Sequence, residues 1–113
     1  MALHIRTNLQ TTIVNQTTNP DYFYAEDAED GDIGMTLPAM QKLVGGFIET
    51  VRLAKPVVVE KVSYAWLVIN EEGKLSGLAF NAIATKLAKL DNSIGISDVI
   101  VGDALLLEHG EIN

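Results

Sequence analysis

The sequence predicts an α+β domain: a small, mostly antiparallel sheet of four to five strands with two helices on one side. Three observations carry that expectation. Two segments, 36–46 and 80–92, place apolar residues at helical spacing with a capping residue at the start. Several other runs are β-branched and apolar. The segments follow one another as β, loop, α, β, β, turn, α, β, with no internal repeat.

Residues 3–14, "LHIRTNLQTTIV", are β-branched and apolar with imperfect alternation and read as one strand, which "NQTTNPD" ends. In "YFYAEDAEDGDIG" three aromatics can anchor a short strand before a run of like charge with two glycines, the composition of a solvated loop. "TLPAMQKLVGG" is a helix of about two turns: Thr36 caps it, Pro38 suits its first turn, and Leu37, Met40, Leu43 and Val44 share a face. Gly45 takes the left-handed position that ends it. "FIETVRL" alternates as a strand, and "KPVVVEKVSYAWLVIN" is the strongest strand signal. Glu60 and Lys61 there make either a bend between two strands or a solvent-facing stretch. "NEEGK" is a turn. "FNAIATKLAKLDN" is a helix capped by Asn81, with Ile83, Leu87 and Leu90 as its apolar stripe, and "SDVIVGDALLLEHG" is a buried strand with Gly102 as a bulge or point of close approach.

At 113 residues the chain makes one domain, 1–113, able to bury a core of its own. It divides into an N-terminal strand and acidic loop, 1–34, and a remainder, 35–107. With 48% apolar and 20% charged residues it is globular in composition. The absence of cysteine excludes disulfides, thiolate nucleophiles and cysteine-ligated metal centres. "MALHIRTNLQ" has no apolar leader core, and no run approaches the ~18 apolar residues of a spanning helix, so a soluble, cytoplasmic protein without a membrane partner is expected.

The formal net charge of -7 is concentrated. Asp21, Glu26, Asp27, Glu29, Asp30 and Asp32 lie within one stretch free of lysine and arginine, while the rest of the chain carries nine acids against eight bases. Such a surface repels phosphate, and no basic stripe or aromatic-basic interleaving exists to bind nucleic acid directly. It suits a basic protein partner instead. Tyr22 to Tyr24, Tyr64 and Trp66 read first as sheet and core residues; if exposed, they would set an aromatic anchor beside negative charge.

No constellation declares a reaction. Glu71 and Glu72 are adjacent in a turn, where both face water, and Asn70 and Lys74 fit the same turn. Asn81 and Thr85 lie one helical turn apart below Gly77 and make the best small-ligand candidate, an anion site at a helix entrance; capping alone also explains Asn81. A calcium loop aligned on Gly31 fails, since Ala28 and Leu37 fall where ligands belong. His4 and His109, in the first and last strands, could be neighbours but have no third ligand. No metal and no cofactor is expected.

"LVGGFIETV" (43–51), "VINEEGKLSGLAFNAIAT" (68–85) and "DVIVGDALLL" (98–107), in that order and spacing, resemble a domain-of-unknown-function family of bacteriophages, plasmids and integrated mobile elements. The likeness spans 35–107 and leaves the acidic segment outside it. It implies a small cytoplasmic protein of such an element, and it carries no catalytic residue onto this chain. The expectation is a non-enzymatic accessory protein that binds, and inhibits, a host protein through its acidic surface; the alternative is a protein that sequesters a nucleotide or other small molecule near Gly77, Asn81 and Thr85. Self-association through a sheet edge stays open.

Overall fold

The computed structural model describes residues 1–25, 33–90 and 98–109. Its centre is a five-stranded sheet in the order β2-β1-β7-β6-β5, made of β1 (Ala2–Ile5), β2 (Thr11–Val14), β5 (Ile48–Val59), β6 (Val62–Asn70) and β7 (Ala104–Leu107). Every neighbouring pair in it is antiparallel. A second, two-stranded sheet pairs β3 (Phe23–Ala25) with β4 (Ile33–Met35). The α+β class therefore stands.

The single strand expected over residues 3–14 is a hairpin. Between β1 and β2 the chain turns at Arg6–Gln10, where Asn8 Oδ1 accepts from the Gln10 N–H at 3.0 Å and Leu9 sits at φ 72. The turn is built from an asparagine side chain and a strained leucine, so no glycine marks it. β5 in turn joins what read as two segments: it runs through an irregularity between Arg52 and Val57, at Pro56, and reverses at Glu60 and Lys61, both at positive φ.

Helix α1 (Leu37–Val44) forms for the local reasons given above: the Ala39 N–H donates to Thr36 Oγ1 at 3.3 Å, Pro38 occupies the first turn, and Gly45 closes the helix at φ 82. Its buried face is Ala39, Met40 and Val44, with Leu43 partly buried, while Leu37 stands 52% exposed. In α2 (Ala82–Leu90) the buried residues are the small Ala84, Thr85 and Ala88. Ile83 and Leu87 are half-buried beside them and Leu90 is exposed, so the expected stripe is shifted around the helix.

The helices do not share a side of the sheet, which corrects the expected layering. α1 packs on Ala2, Val14, Val68, Leu105 and Leu107; α2 packs with Leu3, Ile5, Leu67, Ala104 and Leu106. Alternate residues of β7 thus point to different helices, and all four are fully buried. The two apolar clusters are the two faces of one central sheet, and the β3–β4 sheet closes over the α1 side through Phe23 and Met35. Among the described residues no helix is long and apolar enough to cross a membrane.

Candidate functional site

The helix entrance at Asn81 is the site that sequence reasoning favoured for a small ligand. Asn81 is fully buried, and every polar atom of its amide is committed: Oδ1 accepts from the Ala84 N–H at 3.0 Å, and Nδ2 donates to the carbonyls of Ile5 at 2.9 Å and Gly102 at 3.0 Å. Thr85 is likewise buried, its hydroxyl accepting from the Ile100 N–H at 2.8 Å and donating to the Ile100 carbonyl at 3.3 Å. Gly77, at φ 67, lies on the exposed turn before them. Asn81 and Thr85 fasten α2 to β1 and to the chain entering β7; neither offers an atom to a ligand.

The turn after β6 is structural in the same way. Asn70 Oδ1 accepts from the Glu72 N–H at 2.9 Å while its Nδ2 donates to the Val44 carbonyl at 3.2 Å, tying the turn to the end of α1. Gly73 is required by proximity: a Cβ there would stand 2.9 Å from Val101 Cγ2 and 3.2 Å from its carbonyl oxygen. Glu71 and Glu72 are exposed. Lys74 pairs with Asp98, far along the chain, and not with a neighbouring glutamate. The Lys74 ammonium, with the Val99 N–H, holds the Asp98 carboxyl below the usual carboxylate range. A cavity of about 700 Å³ at this pair is lined by Glu49, Glu71 and Asp98 together with Arg52 and Lys74, a mixture of both signs of charge.

His4 is opposite Leu105 in the sheet and buried, while His109 lies two residues beyond β7 and is exposed. His4 is buried under the end of α1, its Nε2 3.1 Å from the Leu43 carbonyl and 3.5 Å from Asp103 Oδ2. Burial, aided by Arg6, pushes its pKa below 6.5, against the pull of Asp103 and the Leu43 carbonyl. Among the described residues no three His, Asp or Glu side chains gather to hold a metal.

Of the acidic stretch, Asp21 is exposed in a short 3-10 turn, Pro20–Tyr22. Glu26, Asp27, Glu29, Asp30 and Asp32, and with them the failed calcium loop, lie outside the described residues. The residues that bound this connection are described: Ala25 and Ile33 are register partners in the β3–β4 sheet. The aromatics that the sequence singled out divide. Phe23 and Tyr64 are buried, Tyr22 is half-buried with the Lys42 ammonium 5.5 Å from its ring centre, and Tyr24 is exposed. Trp66 is half-buried with the Arg52 guanidinium 5.2 Å from its ring centre. Tyr24 and Trp66 line an open cavity of about 410 Å³ on the α1 face.

A family model described as a domain of unknown function, DUF3846, matches residues 17–112. The chain belongs to this family. No curated protein and no solved structure matches it. The DUF3846 match begins well before the motifs that suggested a family, so the acidic segment lies inside the domain and not outside it. Both helices, the β3–β4 sheet and the aromatic cavity also fall within the DUF3846 range, while β1 and β2 precede it and complete the sheet along β7.

Proposed function

We propose that this DUF3846 domain is an accessory protein of a phage, plasmid or integrated mobile element that works by binding rather than catalysis, its partner being a host protein with a basic surface that it inhibits. The observation that carries the reading is the concentration of charge: six of the net seven negative charges fall between Asp21 and Asp32. Five of those carboxylates are confined to the connection between the paired residues Ala25 and Ile33. Like charges held together repel one another, and a cationic partner relieves that repulsion. The motif resemblance supplies the setting. No observation favours nucleotide capture at Gly77, Asn81 and Thr85, where the side chains are saturated within the fold.

Affinity capture from bacterial lysate, with quantitative mass spectrometry, tests the reading. The comparison is between the natural chain and a variant with Asp21, Asp27, Asp30 and Asp32 changed to Asn and Glu26 and Glu29 changed to Gln. Basic proteins released by salt from the natural chain should be missing from the variant. Two identical sets of captured proteins would remove the basis for an acidic binding surface.

A further inference from the structure

The central sheet ends at β5, which among the described residues has β6 as its one hydrogen-bonded neighbour. Their pairing is regular from Ile48 to Arg52, before the irregularity that contains Pro56. The Glu71 N–H donates to the Phe47 carbonyl at 2.8 Å, so in this register the backbone groups of Phe47, Glu49 and Val51 face β6. Those of Ile48, Thr50 and Arg52 face away from it. A row of outward N–H and C=O groups is a template for one more strand.

That stretch has a cavity on each face of the sheet. On the α1 face Ile48 and Thr50 border the cavity of about 410 Å³, together with Met35, Met40 and Trp66. On the α2 face Glu49 and Val51 border the cavity of about 700 Å³, together with Ile69 and Ile100. Side chains of an added strand alternate between the two faces, so consecutive residues of it would meet the two cavities in turn. Methionine and aromatic rings around the first adapt their packing to an apolar side chain. In the second, Lys74 is already paired with Asp98, and the Arg52 guanidinium is turned to Trp66 on the α1 side. Glu49 and Glu71 are then the charges that an added strand would face. Carboxylates beside an apolar floor suit lysine or arginine, which has an apolar stem and a charged end.

A second copy of β5 fits this edge poorly. Antiparallel pairing of the strand with itself matches the faces only where the two-fold axis falls on a residue. Centred on Glu49 or Thr50, such a pairing sets Glu49 against its own copy, directly or diagonally; centred on Val51 or Arg52, it does the same with Arg52.

We infer that the β5 edge from Ile48 to Arg52 takes up an extended segment of another protein as a further strand. An apolar side chain of that segment enters the α1-face cavity, and an adjacent lysine or arginine reaches Glu49 and Glu71 on the other face. Backbone bonds give such a complex its affinity, and the pockets for alternate side chains give it sequence preference. The inference makes no use of the stretch 21–32 and stands or falls apart from the reading built on it.

The test uses the full chain and short, fluorescein-labelled, threonine-rich peptides with adjacent phenylalanine and lysine at the centre, read by anisotropy. Methylating every second backbone amide removes the donors along one edge of an extended peptide, and moving the methyl groups by one residue removes those along the other. One methylated form should lose roughly tenfold or more in affinity, and the other should bind like the unmodified peptide. Serine in place of the phenylalanine should weaken binding to a similar degree and abolish a shift in the emission of Trp66, the chain's single tryptophan. Glu49→Lys, at an exposed position, should turn the preference for lysine into one for glutamate. The six-amide variant should keep both preferences. No binding of the unmodified peptide, equal affinities of the two methylated forms, or a lysine preference indifferent to Glu49→Lys overturns the assignment and leaves the acidic-stretch reading untouched. A dimer seen in sedimentation and dissociated by the unmodified peptide would give the edge to a second copy and overturn it as well.

Discussion

His4 shows how one residue's surroundings set a solution property. Its imidazole is buried between β1 and the end of α1, and burial, with Arg6, lowers its pKa in the fold below 6.5. The charged groups that face it are Arg6 from its own strand's end and Asp103 from the entry to β7; the Leu43 carbonyl faces it from α1. The unfolded chain therefore takes up a proton near pH 6.5 that the folded chain still refuses. Stability must fall as pH drops through that value, and the loss levels off once the folded histidine is also protonated. His4→Gln keeps a donor for the Leu43 carbonyl but cannot titrate. Urea unfolding between neutral pH and about pH 5 should show the natural chain losing stability relative to the variant. Parallel pH profiles would mean that the burial of His4 does not oppose its protonation.

Among the elements, α2 depends most on a single side chain. Asn81 caps the helix and bonds carbonyls on two other segments, so Asn81→Asp would replace two donors by a carboxylate facing carbonyl oxygens in a buried place. A loss of about 3 kcal/mol or more is expected at neutral pH, partly recovered in acid as the new carboxyl gains a proton to donate. Denaturant midpoints measure it; an unchanged midpoint at neutral pH would mean that the three bonds are not formed together. That Asn81 caps a helix was legible in the sequence, because capping is local, and the same holds for Thr36 and Gly45 around α1. Its other two bonds were not, since Ile5 and Gly102 are brought there only by the sheet. The β1–β2 turn was hidden for a different reason: an asparagine side chain and a left-handed leucine do the work that glycine usually signals. The placement of the helices on opposite faces had one trace in the sequence, the unbroken apolar run "ALLL" of β7, since a strand covered on one face alternates and one covered on both does not. The cavity between α1, β6 and the small sheet had none beyond its aromatics.

For the molecule as a whole, the apolar structure and the charge are arranged separately. Both faces of the central sheet are covered, the buried polar side chains among the described residues are hydrogen-bonded, and outside 21–32 acids and bases nearly balance. The acidic stretch adds little that a sheet and two helices need, yet the β3–β4 pairing sets Ala25 opposite Ile33, the residues that bound five of its six carboxylates in sequence, and like charges along so short a connection repel. Folding should then work against that repulsion, more at low ionic strength than at high, because salt screens exposed charges over ~10 Å at 0.1 M. The melting temperature of the natural chain is expected to rise with added sodium chloride. The six-amide variant should start higher in dilute buffer and respond less, its remaining charge being nearly neutral. Matching salt dependences in the two proteins would show that the segment is as free of self-repulsion folded as unfolded, and the electrostatic relief invoked for a basic partner would then have no source.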